Sequence, residues 1–109
     1  MFSLLALYVG ANLVLALLAL PLMAGKIKPN PFYGFRVAQT LEDSDIWYAA
    51  NRYFARYQLA AALIGLFASI ALYFWPGITV DAYALACLGV FVVVFGYGLA
   101  KGWQYLKSI

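Results

Sequence analysis

The chain has 109 residues, 67% of them apolar and 10% charged, with a net charge of +3, no histidine and a single cysteine. Soluble domains run at about 45–50% apolar and about 25% charged, so this composition excludes a fold solvated mainly by water. At this length there is no room for a soluble core beside a separate anchor, and one cysteine excludes an internal disulfide.

Residues 1–25, 57–80 and 82–100 carry no charged side chain. A helix rising about 1.5 Å per residue needs about 20 residues to cross about 30 Å of hydrocarbon, so each run is long enough to span a bilayer. The expected fold is all-α: an integral membrane protein of three transmembrane helices, with a cytoplasmic loop and a short helix continuing into the second span. The chain reads as a single membrane domain with spans at 1–25, 57–76 and 82–101. Between them lie a loop plus amphipathic helix at 26–56 and an external turn at 77–81, and a tail follows at 102–109.

The first run lacks a basic n-region and is too long for the h-region of a signal peptide, so it is read as a mature helix. Its one strongly polar residue, Asn12, shares a helical face with Tyr8, Ala16, Ala19 and Met23. Asn12 is expected to face protein as packing glue, through an interhelical amide hydrogen bond of about 0.6–2 kcal/mol.

After Lys26, Pro29 and Pro31 bracket Asn30 and bias it to an extended conformation, so this stretch reads as loop. Thr40 followed by Asp43 resembles a capping box with Asp in place of Glu, and Glu42, Asp43 and Asp45 suit the positive end of a helix dipole. A helix is therefore expected to start near Leu41. With no Pro or Gly from Leu41 to Ile64 it runs through Trp47, Asn51, Arg52 and Arg56 into the second span. The alternative is an interfacial helix that bends at the headgroup level. Arg52 and Arg56 stand one turn apart and repel, so they are expected to answer separate partners, either lipid phosphates or the carboxylates of the 42–45 group.

The second span presents Ala61, Gly65 and Ser69 at intervals of four. The third presents Ala82, Ala86, Gly89, Val93, Gly96 and Ala100 at alternating steps of four and three. Small faces let helices approach closely in lipid, so Gly65, Gly89 and Gly96 are expected at helix contacts, in a hairpin closed by Pro76 and Gly77. Asp81 reads as a turn acid or N-cap, and Cys87 as a small packing residue.

Lys26, Lys28, Arg36, Arg52 and Arg56 lie between the first and second spans, Lys101 and Lys107 follow the third, and the second connection has no Lys or Arg. The positive-inside rule then places the central segment and C-terminus in the cytoplasm and the N-terminus outside. Trp47, Tyr48, Tyr53, Tyr57, Trp103 and Tyr105 form the inner aromatic belt, and Tyr73, Trp75 and Tyr83 the outer one. The net charge favours anionic inner-leaflet lipid over nucleic acid as a partner. The only acids are Glu42, Asp43, Asp45 and Asp81. With no histidine, no catalytic residue, no metal site and no cofactor is expected, and the chain is read as a non-enzyme.

Pro29-Asn30, Tyr33-Gly34-Phe35-Arg36, Thr40-Leu41, Ile46-Trp47 and Asn51-Arg52 follow in an order and spacing that resembles the signature of the SdpI/YfhL family of bacterial membrane proteins. The resemblance covers roughly residues 26–57 and the span after them. Val37-Ala38 stands where Thr-Pro is expected. The resemblance implies a minimal single-domain relative of immunity proteins in the bacterial inner membrane, which protect against a secreted, membrane-active peptide toxin. Some such proteins also signal by holding a cytoplasmic transcriptional repressor at the membrane.

In physical terms Gly34 permits a tight turn that returns Tyr33, Phe35 and Arg36 to the membrane surface. Arg36 is expected to meet Asp43, Asp45 or Asn51, Trp47 to bury its ring in the interface, and Asn51 to satisfy loop backbone groups. The competing reading is a small accessory or structural subunit of a larger membrane protein complex. A transporter subunit is disfavoured because no ionisable residue lies inside a span.

Overall fold

The computed structural model describes residues 1–30 and 34–109, and among these the chain forms four helices: α1 (Phe2–Met23), α2 (Ala38–Glu42), α3 (Ser44–Tyr73) and α4 (Val80–Ser108). Three of them, of 22, 30 and 29 residues, are long and apolar enough to cross a membrane. Leu7, Leu17, Phe67, Leu85 and Val93 point outward along their length, as lipid solvation allows. The molecule is 51 Å long, more than the about 30 Å of a hydrocarbon core, so part of the bundle extends to headgroup depth or beyond.

α3 is the middle helix, packed against α1 on one side and α4 on the other. It runs unbroken into the second span, but it starts at Ser44, three residues beyond the expected point. The expected capping box is divided between two helices. Asp43 is the N-cap of α3, its Oδ1 accepting from the N–H groups of Asp45 at 2.9 Å and Ile46 at 3.4 Å. Thr40 instead lies inside α2 and reaches back to the N–H of Val37 at 3.0 Å. At Asp43 the backbone is extended, with φ −135° and ψ 116°, and this breaks α2 from α3.

α1 ends in a Schellman motif. Lys26 N–H donates to the Pro21 carbonyl at 3.0 Å and Gly25 N–H to that of Leu22 at 3.3 Å, with Gly25 at φ +71°. At the far end Thr79, not Asp81, caps α4, accepting from Ala82 N–H at 3.1 Å; Asp81 occupies the first turn, where the helix dipole favours a negative charge. α4 does not stop near residue 101. It continues to Ser108, so the expected tail is helical.

The small residues of α3 behave as expected, Ala61, Gly65 and Ser69 all being buried. Those of α4 do not. Gly89 and Gly96 are exposed, and a Cβ built on either meets nothing within 4 Å. α4 turns a different face to α3, bearing Tyr83, Cys87, Gly98, Gly102 and Leu106. A Cβ on Gly98 would lie 3.0 Å from that of Tyr57, and one on Gly102 would lie 3.4 Å from the Phe54 ring, so these are the glycines on which the helix pair closes.

Asn12 faces protein, but its amide serves its own helix: Nδ2 donates to the Tyr8 carbonyl at 2.8 Å. The amide lies against the backbone of Gly65, where a Cβ would come within 2.5 Å of its Oδ1. An amide hydrogen bond between spans comes instead from Gln58, whose Nε2 donates to the Leu15 carbonyl at 2.8 Å. Tyr83 is not in an aromatic belt. It is fully buried, its hydroxyl donating to the Ser69 carbonyl at 2.9 Å, while Tyr8 ties α1 to α4 by donating to the Ala84 carbonyl at 3.0 Å.

Candidate functional site

At the basic end of the bundle, opposite the turn between α3 and α4, residues 26–30 and 34–43 lie against the helix ends as a cap. The cap is organised by Asn51, one turn past Trp47 on α3. Asn51 Oδ1 accepts the N–H of Phe35, and Nδ2 lies 3.4 Å from the Phe35 carbonyl and 2.9 Å from that of Trp47. The Thr40 hydroxyl, completely buried, lies 2.9 Å from the same Phe35 carbonyl and 2.9 Å from that of Val37. The expectation that Asn51 satisfies loop backbone groups describes this geometry.

With both backbone groups of Phe35 held, its ring packs beside Phe54 at a centroid distance of 5.3 Å, in a cluster with Ala50 and Leu106. Gln39 Nε2 donates to the Leu106 carbonyl at 3.3 Å, so the end of α4 is fastened to the cap as well. Gly34 adopts φ +117°, a region that disfavours any side chain. A Cβ there would also lie 2.8 Å from Asn51 Oδ1 and 2.9 Å from the Trp47 ring.

Two expected roles are corrected. The Trp47 ring is not at the lipid interface: it has no exposed surface, lies under Gly34, and its Nε1–H donates to the Ile27 carbonyl at 2.8 Å. Buried on all sides, it welds the loop after α1 to α3. Arg36 does not reach Asp43, Asp45 or Asn51. It is exposed, and its Nε donates to the Asn30 carbonyl at 2.8 Å. The Asn30 amide in turn donates to the Lys28 carbonyl at 2.7 Å, so the Pro29-Asn30 corner shapes a seat for the guanidinium. Tyr33 and Pro31 lie outside the described residues.

Arg52 extends from α3 toward the end of α1. Its Nη2 lies where a Cβ on Gly25 would be only 2.8 Å away, beside the negative end of the α1 dipole. Neither it nor Arg56 is joined to a carboxylate among the described residues. The structure thus brings Gly34, Thr40, Trp47 and Asn51 into one buried knot, puts Arg36 and Asn30 on its outer surface and Arg52 at its flank. Asn12 and Gly65 meet elsewhere, between α1 and α3.

Phe54, Gln58, Gly102 and Leu106 complete the architecture and were not singled out from the sequence. Gly98 and Gly102 form a G-x-x-x-G pair that the residue spacing does contain. Among the described residues no group of three or more His, Cys, Asp or Glu side chains is placed to hold a metal ion. Asn30, Arg36, Gln39, Thr40, Trp47 and Asn51 are all engaged with backbone, an arrangement that builds a rigid surface.

The model of the SdpI/YfhL protein family matches residues 26–100, from the end of α1 through most of α4. No curated protein and no solved structure matches the chain.

Proposed function

The chain belongs to the SdpI/YfhL protein family, a family that includes immunity proteins, and from this premise we propose that it is a bacterial inner-membrane immunity protein. It acts by binding a membrane-active peptide toxin, performs no covalent chemistry, and in a signalling role passes occupancy to a cytoplasmic repressor. The cap lies on the cytoplasmic side and the N-terminus outside, as the distribution of Lys and Arg favours. One observation carries the reading. The buried signature residues Thr40, Trp47 and Asn51 are consumed in building the cap, whereas Arg36 is held by a backbone carbonyl and left facing outward. A guanidinium oriented by its neighbours and not neutralised by them suits contact with a partner.

The test is protection. A toxin-sensitive bacterial host expressing the wild-type chain is challenged with a secreted membrane-active peptide toxin, beside a host expressing Arg36→Ala. Wild type is expected to raise survival, and Arg36→Ala to reach the membrane in equal amount with survival lowered. Absence of protection by the wild-type chain rejects the immunity role, and full protection by Arg36→Ala rejects the role of Arg36.

A second reading is favoured by the face of α4 that bears Gly89 and Gly96, which α3 leaves uncovered. Small residues facing lipid allow another helix to approach, as in an accessory subunit of a larger membrane complex. Extraction in gentle detergent followed by identification of copurifying proteins separates the two. One dominant large complex supports the subunit, and a chain that runs alone rejects it.

A further inference from the structure

A cleft runs up the α3–α4 face from the basic end, and it changes character along its length. At its base Ala49, Arg52, Tyr53, Arg56 and Tyr105 enclose about 140 Å³. Tyr53 and Arg56 also line the next section together with Tyr57 and Ala60. Tyr57 and Ala60 in turn begin an apolar slot of about 360 Å³, continued by Ala61, Ile64, Val93 and Tyr97. Shared walls make these one channel, with two arginines lining one end, phenols in the middle and aliphatic side chains above. Residues 49, 53, 56, 60 and 64 recur every three or four positions, so a single stripe of α3 forms its floor.

The base of the channel has positive charge, and among the described residues no carboxylate balances it; only the carboxyl end of α1, beside Arg52 Nη2, offers a partial negative charge. Arg52 and Arg56 are one helical turn apart, both exposed, with no hydrogen bond or ion pair to another residue. Like charges at that spacing destabilise a helix, and an anion between them reverses the effect. Among the described residues no acidic side chain lines the cleft. Lys101 adds a third cation at the rim, its ammonium 5.5 Å from the centre of the Tyr97 ring. Tyr53 and Tyr105 stack at 4.2 Å with their planes 10° apart, and the Tyr53 and Tyr57 hydroxyls lie 3.5 Å from each other, giving the anion site a stiff wall with polar edges. From Arg56 to Ile64 the helix rises about 12 Å, most of the about 15 Å depth of one leaflet.

We propose that this channel is a binding site for one anionic phospholipid, its phosphate held between Arg52 and Arg56 and an acyl chain lying in the slot between α3 and α4. A guanidinium pair matches phosphate oxygens in geometry as well as charge. The slot opens at membrane depth directly above them, where a chain joined to that phosphate belongs. This site goes beyond the immunity reading and does not depend on it, since the channel lies apart from Arg36.

The test uses the full chain in mild detergent, titrated with phosphatidylglycerol or with phosphatidylcholine of the same acyl chains and read by native mass spectrometry. One phosphatidylglycerol is expected to stay bound, about tenfold or more in preference to phosphatidylcholine. Arg56→Gln and Ala60→Trp change exposed positions, one removing charge and the other filling the slot, and each is expected to lower retention about tenfold in protein whose circular dichroism and elution match wild type. Glycerol phosphate, the headgroup without chains, is expected not to compete at the same concentration. Equal retention of the two lipids overturns the proposal, as does undiminished phosphatidylglycerol binding by folded Arg56→Gln. Competition by glycerol phosphate as strong as by lipid also overturns it, because the occupant is then a free anion.

Discussion

Asn51 holds both backbone polar groups of a single residue, Phe35, sixteen positions earlier in the chain: its Oδ1 accepts the N–H and its Nδ2 faces the carbonyl. The carbonyl has a second partner in the Thr40 hydroxyl, but the N–H has no substitute. Asn51→Ala therefore strands a buried donor and is expected to cost about 1–3 kcal/mol. Chemical denaturation of the detergent-solubilised protein measures it, and an unchanged midpoint would show that the amide contributes nothing to the cap.

Gly34→Ala is expected to cost more, about 2–4 kcal/mol, because it combines an unfavourable φ of +117° with a methyl pressed against Asn51 and Trp47. The neighbours are a buried amide and a buried indole, neither free to withdraw. The loss should appear as reduced folded yield on gel filtration; a wild-type yield and midpoint would contradict the geometry of the turn.

Glycines of the spans should divide sharply. Gly65→Ala drives a methyl into Asn12 and is expected to destabilise by about 1–3 kcal/mol, with Asn12→Ala in the same chain restoring most of the loss. Gly89→Ala and Gly96→Ala meet nothing and should shift stability by less than about 0.5 kcal/mol. The comparison fails if the double variant is no more stable than Gly65→Ala alone.

Gln58→Leu removes the amide donor to the Leu15 carbonyl between α3 and α1. Such bonds within a membrane contribute about 0.6 kcal/mol on average, so a small loss is expected, well below that of Asn51→Ala. Equilibrium unfolding in bicelles provides the value, and a loss as large as that of Asn51→Ala would contradict this ranking.

Orientation can be read by labelling. On a Cys87→Ala background, Lys107→Cys is expected to react with an impermeant maleimide only after the cells are opened, and Ile78→Cys to react in intact cells. The reverse pattern would turn the protein over in the membrane.

The long helices were legible because lipid solvation makes a blunt demand, about 20 residues without charge, and residues 1–25, 57–80 and 82–100 meet it. The course of α3 through Trp47 and Asn51 followed from the absence of Pro and Gly. Its starting point did not, since Thr40 and Asp43 both have capping chemistry and the choice between them depends on Thr40 being drawn into the cap by Phe35. The packing face of α4 was misread for a related reason. Periodicity identifies a face of small residues but not the neighbour it meets, and α4 has two such faces. The one with Gly98 and Gly102 meets the bulky Phe54 and Tyr57, whereas the one with Gly89 and Gly96 is left open. Trp47 and Tyr83 illustrate a limit of the aromatic-belt rule, which uses position along the span and ignores whether a ring nitrogen or hydroxyl finds a partner inside. Ile27 and Ser69 supply those partners here.

The fastening of Leu106 to Phe35 and Gln39 bears on the order of biogenesis. Phe35 leaves the ribosome well before Leu106, and the two can meet only after both α3 and α4 have been threaded across the bilayer. Closure of this apolar lock therefore has to wait until the end of α4 has been made. Until then the Phe35 side of the young cap remains open to chaperones and to membrane proteases that remove incompletely inserted chains.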